Sequence, residues 1–220
     1  MNRLIRVLSS SIGKKLLMGL TGLSLCGFLV VHLAGNLLLY VGPQAYNDYA
    51  HSLHENSGLL LVGEIGLLVL FAAHIALWLI TARENFDARG STAYAVKQSK
   101  QAQPAWAAAN TMAVTGVVVL LFVVLHLADF RFELRNPGPA DEAPFAKAGR
   151  LLVDPLTTGV YIVGSLVLAY HVSHGFQSAF RSLGIEHPQY TPLIVSLGMV
   201  FAVLVGLGFA SFPVWAWLQK

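Results

Sequence analysis

The chain has 220 residues, of which 55% are hydrophobic and only 11% are charged. Soluble domains carry about 25% charged residues, so this composition excludes an ordinary soluble enzyme and makes membrane spans the first question. The net charge of +3 is small, and no basic face with interleaved aromatics lies outside the apolar stretches, so nucleic-acid binding has no support. The single cysteine, Cys26, excludes an intrachain disulfide and an iron–sulfur cluster, which needs several thiolates. It reads as a small apolar packing residue.

The N-terminal segment places Arg3, Arg6, Lys14 and Lys15 ahead of an apolar run, as a signal peptide does. The run is too long, and no small-x-small site ends it, so it reads as a retained first span. A helical span needs about 20 mostly apolar residues. Stretches of that kind follow in order at Leu16–Val41, Leu59–Ala82, Ala105–Ala128, Leu156–Phe180 and Pro192–Leu218. All are expected to be α-helices, because in lipid the backbone must satisfy its own polar groups. The expected architecture is one all-α, five-helix transmembrane domain covering 1–220, with the first four helices forming a bundle. The longest connection, Asp129 to Pro155, is short and rich in proline and charge, so no soluble catalytic domain fits. No internal repeat or low-complexity segment is read. Gly19, Gly22, Gly116, Gly159, Gly164, Gly198 and Gly206 lie within spans and read as helix-packing positions. Trp78, Trp106, Trp215 and Trp217 fall near span ends, where aromatic belts form.

Basic residues collect in cytoplasmic loops. With the N-terminus inside, Arg3, Arg6, Lys14, Lys15, Arg83, Arg89, Lys97, Lys100 and Arg181 face the cytoplasm, nine of the fourteen. The remainder, Arg131, Arg135, Lys147, Arg150 and Lys220, lie outside, and acidic neighbours in the long loop largely cancel them. The expected topology is N-terminus in, C-terminus out.

Each of the first four spans carries a histidine: His32, His74, His126 and His171. Ionisable groups in hydrocarbon are costly and imply a partner or a task. Spans one and three run outward and bring His32 and His126 toward the outer end. Spans two and four run inward and carry His74 and His171 to an inner level. At 1.5 Å per residue the levels differ by roughly 10 Å or more. Two histidines at each level suit two bis-histidine haems, in which imidazoles close both axial positions of the iron. A structural role for these histidines is the alternative, as is a metal transporter, although such a path usually adds carboxylates or thiolates. His174 follows His171 by one helical turn and is the alternative ligand in the fourth span. His51, His54 and His187 read as solvated loop residues.

Glu64 is the carboxylate well inside a span and is a candidate for proton exchange with quinone; the alternative is a boundary glutamate reaching the headgroups. Arg181, Lys14 and Lys15, at the inner edge, are candidate haem-propionate contacts or ordinary basic flanks. Gly35 and Gly175 lie near ligand candidates and either admit a flat macrocycle or serve packing.

The segments SSSIGKKLLMGLTGL, FLVVHLAGN, LVGEIGLLVLFAAH, LLFVVLHLADFRF and YIVGSLVLAYHVSHGFQSAFRSLGI together resemble the di-haem cytochrome b subunit of succinate:quinone oxidoreductases, the five-helix single-subunit type that also serves fumarate reductases. The resemblance covers nearly the whole chain and lies in the ordered set rather than in one motif. It implies two haem b groups, with His32 and His126 on the distal iron and His74 and His171 on the proximal one. It further implies an FAD-bearing dehydrogenase subunit and an iron–sulfur subunit at the cytoplasmic face of a bacterial inner membrane, and menaquinone or ubiquinone as substrate. This chain itself has neither a Gly-rich dinucleotide turn nor a cysteine set, so it performs no dehydrogenase chemistry alone. Some family members carry a glutamate two residues before the fourth-helix ligand; here that position is Ala169, which argues against a proton path of that type. The di-haem anchor of a nitrate reductase or hydrogenase is a second redox reading, and a cofactor-free transporter or structural membrane protein is a reading of another class.

Overall fold

The computed structural model describes residues 3–89 and 108–220. The predicted start of the third span at Ala105, together with Trp106, Lys97 and Lys100, lies outside the described residues. Those described are helical with intervening turns. In chain order the helices are α1 (Arg3–Leu8), α2 (Ser11–Asn36), α3 (Leu38–Val41), α4 (Pro43–Glu55), α5 (Ser57–Arg89), α6 (Ala108–Phe130), α7 (Pro144–Leu152), α8 (Pro155–Ser182) and α9 (Thr191–Leu218). Five segments, Ser11–Val41, Ser57–Ala88, Thr111–Phe130, Pro155–Ser182 and Thr191–Leu218, are long and apolar enough to cross a membrane. The chain therefore has the build of a multi-pass membrane protein, and exposed side chains such as Leu68, Leu121 and Leu204 are where a bilayer would meet it.

Local chemistry sets the helix ends. Ser10 opens α2 by accepting from the Gly13 N–H at 3.1 Å, and Asp154 opens α8 by accepting from the Thr157 N–H at 2.9 Å, with Pro155 in the first turn. Gly184, at φ +76°, lets the chain leave α8 in the left-handed region, with the Ile185 N–H reaching back to the Phe180 carbonyl.

The helices alternate in direction and form a bundle with two ends. One end holds α1, the α5 C-terminus and the α8–α9 turn. The other holds α3, α4, α7 and the C-terminus. Packing is most extensive between α8 and α9; α2 lies against α5 and α8, and α6 lies against α8. Small residues permit the α8–α9 approach: a Cβ added to Gly206 would fall 2.5 Å from the Ala169 Cβ. The main buried apolar cluster, Leu39, Ala148, Leu152, Tyr161, Phe212 and Ala216, sits at the α4/α7 end. An apolar groove of about 330 Å³ runs between α5 and α6, lined by Trp78, Ala113, Val114, Val117 and Val118.

Two regions read as loops are ordered. His51 and His54 lie on α4, exposed to solvent. The Asp129–Pro155 connection contains α7 and a set of ion pairs, Lys147–Glu133 at 2.6 Å and Arg150–Glu142 at 2.6 Å. Hydropathy does not reveal such short amphipathic helices, because their apolar faces are narrow.

Candidate functional site

The structure gathers the four intramembrane histidines at two levels. Toward the α4/α7 end, the rings of His32 on α2 and His126 on α6 meet edge-on with centroids 5.8 Å apart and planes at 82°. Two imidazoles this close, one from each of two helices, are the number of donors that a haem would take from the chain. Aromatic rings enclose the pair. Phe28 stacks on His32 at 5.1 Å and Phe209 of α9 approaches it at 5.5 Å; Phe130 and Tyr161 lie 5.2 and 5.8 Å from His126. The fifth span packs along α8, also touches α2 and α7, and contributes Phe209 to this level.

At the other level, His74 on α5 and His171 on α8 are held alike. The Nδ1 of His74 lies 3.1 Å from the Thr21 hydroxyl of α2, and the Nδ1 of His171 lies 3.1 Å from the Thr115 hydroxyl of α6. Each threonine is followed by a glycine against the same imidazole: a Cβ on Gly22 would lie 3.3 Å from the His74 Cε1, and one on Gly116 would lie 3.4 Å from the His171 Cε1. The threonine fixes the ring edge and the glycine makes room for the ring. Neither Nε2 has a hydrogen-bond partner among the described residues.

The two levels are spaced by one repeated distance. Eleven residues separate Thr21 from His32, and eleven separate Thr115 from His126. Eleven residues are about three helical turns, so threonine and histidine share a face about 16 Å apart along the axis. Both segments read Thr-Gly, then Phe, then His-Leu-Ala in the same register: Thr21, Gly22, Phe28 and His32–Ala34 against Thr115, Gly116, Phe122 and His126–Ala128. This is a short internal repeat, contrary to the expectation of none. It escapes a hydropathy reading because its apolar positions are interchangeable, and only the geometry shows why its polar positions recur.

None of the four imidazoles is fully buried, although all point within the bundle. Among the described residues no group of three or more His, Cys, Asp or Glu side chains converges on a common point. A bare transition-metal ion would want more ligands than one pair supplies, whereas a haem brings its own equatorial nitrogens and asks the chain for two. The donor chemistry of the residues present is compatible with haem.

The surrounding candidates divide. His174, one turn beyond His171, has no hydrogen bond to a neighbouring helix among those described, whereas His171 is anchored by Thr115. Lys14 is ion-paired with Glu84 and lies on the α2 face that carries Thr21. Arg181 pairs with Glu186 at 3.4 Å, and Lys15 is exposed. All three are at the end nearer His74 and His171. Gly175 has only the Met112 tip nearby, whereas Gly35 is occupied: a Cβ there would lie 2.6 Å from the Tyr49 ring, so its missing side chain docks α4. Glu64 is not a solitary acid. Arg131 binds it, Nε to Oε1 at 3.2 Å and Nη2 to Oε2 at 3.3 Å, and both side chains are partly exposed.

One buried network lay outside the sequence reading. Asp129, expected in a loop, sits in the last turn of α6 and is 0% exposed. It accepts from the Arg135 Nε at 2.6 Å, from its Nη2 at 2.7 Å and from the Tyr161 hydroxyl at 3.0 Å; Arg135 also donates to the Thr157 hydroxyl at 3.0 Å. His126 lies one turn away on α6, so this fully satisfied cluster braces the level of His32 and His126. Its sequence signal is an aspartate placed three residues beyond a span histidine with an arginine six further on.

No protein-family model, no curated protein and no solved structure matches this chain.

Proposed function

We propose that this chain is the di-haem membrane subunit of a succinate:quinone oxidoreductase, acting in succinate oxidation or in fumarate reduction. The observation that carries this reading is the arrangement of imidazoles: His32 edge-on to His126 at 5.8 Å, and His74 and His171 each tethered through Nδ1 by a threonine on the neighbouring helix. His32 and His126 would hold one haem b, and His74 and His171 the other. Such a group would supply reversible one-electron storage on iron.

The chain's own residues then have separable tasks. The histidines set the iron positions, and the eleven-residue spacing holds the levels apart. Phe28, Phe122, Phe130, Tyr161 and Phe209 exclude water from the outer level. Lys14 and Arg181 place positive charge below the inner level, where carboxylate substituents of a cofactor would need it, and Lys15 adds to the basic edge. Glu64, oriented by Arg131, is the candidate for proton exchange with menaquinone or ubiquinone. On this reading the α1 end faces the cytoplasm of a bacterial cell and receives an iron–sulfur subunit carrying an FAD-bearing dehydrogenase subunit.

The test is a pyridine haemochrome assay and a reduced-minus-oxidised spectrum on the purified complex, with its subunits identified. The expected result is two b haems per chain and a co-purifying flavoprotein. His32→Ala or His126→Ala removes one haem and leaves the other, and His74→Ala or His171→Ala removes its counterpart. A colourless preparation from haem-replete cells overturns the proposal.

A further inference from the structure

The Thr21 hydroxyl has one proton and two lone pairs. Its oxygen lies 3.0 Å from the Leu17 carbonyl and 3.1 Å from the Met18 carbonyl, where that proton is shared. The Thr115 hydroxyl repeats this with the Thr111 and Met112 carbonyls, both at 3.1 Å. With the proton engaged by the helix backbone, each oxygen is left with lone pairs toward the histidine. The hydrogen bond at 3.1 Å then runs from the imidazole Nδ1–H to the hydroxyl. The Met18 backbone carbonyl also accepts from the His74 ring, and no hydrogen bond to either Nε2 is seen among the described residues.

We propose that Thr21 and Thr115 are positioning residues that hold His74 and His171 in the Nδ1-protonated tautomer, leaving both Nε2 lone pairs free to ligate iron. This deepens the functional reading above and rests on it for the identity of the ligand. A partner on the distal nitrogen fixes ring orientation and raises ligand basicity. Greater basicity stabilises the ferric state and lowers the midpoint potential of that haem. The outer pair has no equivalent: the Asn36 amide is 3.5 Å from the His32 Nδ1, at the limit of a hydrogen bond, and its closer contact is the His32 carbonyl at 2.8 Å. The two levels therefore differ in how their imidazoles are held, and threonine acts at the inner one alone.

The experiment compares wild type with Thr21→Val, Thr115→Val and Thr21→Ser. Valine keeps the branched shape and removes the acceptor; serine keeps the acceptor. In the purified complex, a redox titration is expected to show the inner-haem wave moved to higher potential in each valine variant, the outer wave unmoved, and the serine variant restored. Retention of the inner haem against an apo-haem acceptor should weaken about 10-fold or more. Two bound haems with unmoved potentials and unchanged retention in both valine variants overturn the proposal. A second readout uses 15N-histidine spectra of the haem-free chain in micelles, where Nδ1–H and Nε2–H tautomers give distinct shifts. Nδ1–H signals for His74 and His171 that are lost on the valine changes support the positioning role even if no haem binds, in which case the functional reading fails alone. Nε2–H signals in the wild-type chain overturn it.

Discussion

Replacing Asp129 with alanine tests the buried network that braces the level of His32 and His126, and its effect follows from the contacts. The carboxylate is fully buried and takes three hydrogen bonds, two from Arg135 and one from Tyr161. Breaking a buried pair by deleting one partner costs about 3–5 kcal/mol, because the charge left behind has no compensation. Here Arg135 retains its bond to Thr157, and its side chain is 25% exposed. Water can reach part of the guanidinium, which puts the expected loss at the lower end, about 3 kcal/mol. The assay is equilibrium unfolding in mixed micelles with rising denaturing detergent. The double variant Asp129→Ala/Arg135→Ala should recover part of the loss, since it removes the stranded cation. A loss below about 1 kcal/mol for Asp129→Ala, with no coupling to Arg135, would be the behaviour of a solvated surface pair and would refute the reasoning.

Gly35→Val drives a branched side chain into the Tyr49 ring, and overpacking of this kind costs about 1–3 kcal/mol; faster hydrogen exchange in α4 with unchanged haem content is the expected result. Acid should loosen α7. The Lys147 ammonium bonded to Glu133, the Arg150 guanidinium bonded to Glu142 and the Thr157 N–H bonded to Asp154 hold these carboxyls below their usual values. Groups lowered in the fold stabilise it above the unfolded values, about 4.3 for Glu and 3.9 for Asp, and that stabilisation is lost as pH falls through the lower folded values. Amide protection across residues 144–152, corrected for intrinsic rates, should therefore hold from pH 8 to 5 and weaken below about pH 4. Glu64→Gln should leave stability within about 1 kcal/mol of wild type, because its pairing with Arg131 is partly exposed; a fall in quinone turnover in that variant then reports chemistry rather than folding.

The spans were legible because hydrocarbon imposes one demand, about 20 apolar residues in a helix. Five helices of spanning length and hydropathy cover these stretches, and the ends that fall among the described residues differ by a few positions. The shifts have local causes: Ser10 caps α2 earlier than hydropathy indicates, and α5 runs on to Arg89 because a helix need not stop at the membrane surface. A shared height for His32 and His126 was legible from depth alone, since alternating spans turn sequence position into height; the closeness of their rings depends on how the helices pack. What stayed hidden was every feature carried by a small or polar residue acting on another helix. Thr21 and Thr115 change hydropathy little, and Gly22 and Gly116 look like any packing glycine until an imidazole is found against them. Gly35 read as a haem-side candidate because Tyr49 is distant in sequence. Asp129 read as a loop charge because its partners Arg135 and Tyr161 lie beyond the span, and pairing is not visible in composition.

The repeated Thr-Gly element also orders how the bundle holds together. Within the first hairpin α2 tethers the imidazole of α5, and within the second α6 tethers the imidazole of α8. Each hairpin thus fixes its inner histidine by itself, before the other hairpin is needed. The pair His32–His126, by contrast, draws one ring from each hairpin, and so does the proposed inner pair. Direct packing between the hairpins runs chiefly through α2 against α8, whereas α5 and α6 are parted by the apolar groove at Trp78. On the proposed function, each haem is therefore a bridge between halves that protein contacts alone join on one side. Half-sites with orientation already fixed lose less conformational entropy on binding, so the inner haem, with both imidazoles tethered, should enter first and close the α5–α6 side. Haem titration into the apo chain, with the two levels distinguished by His32→Ala and His74→Ala, would show that order; an outer level that fills first would mean that the aromatic enclosure of His32 and His126 outweighs the threonine tethers.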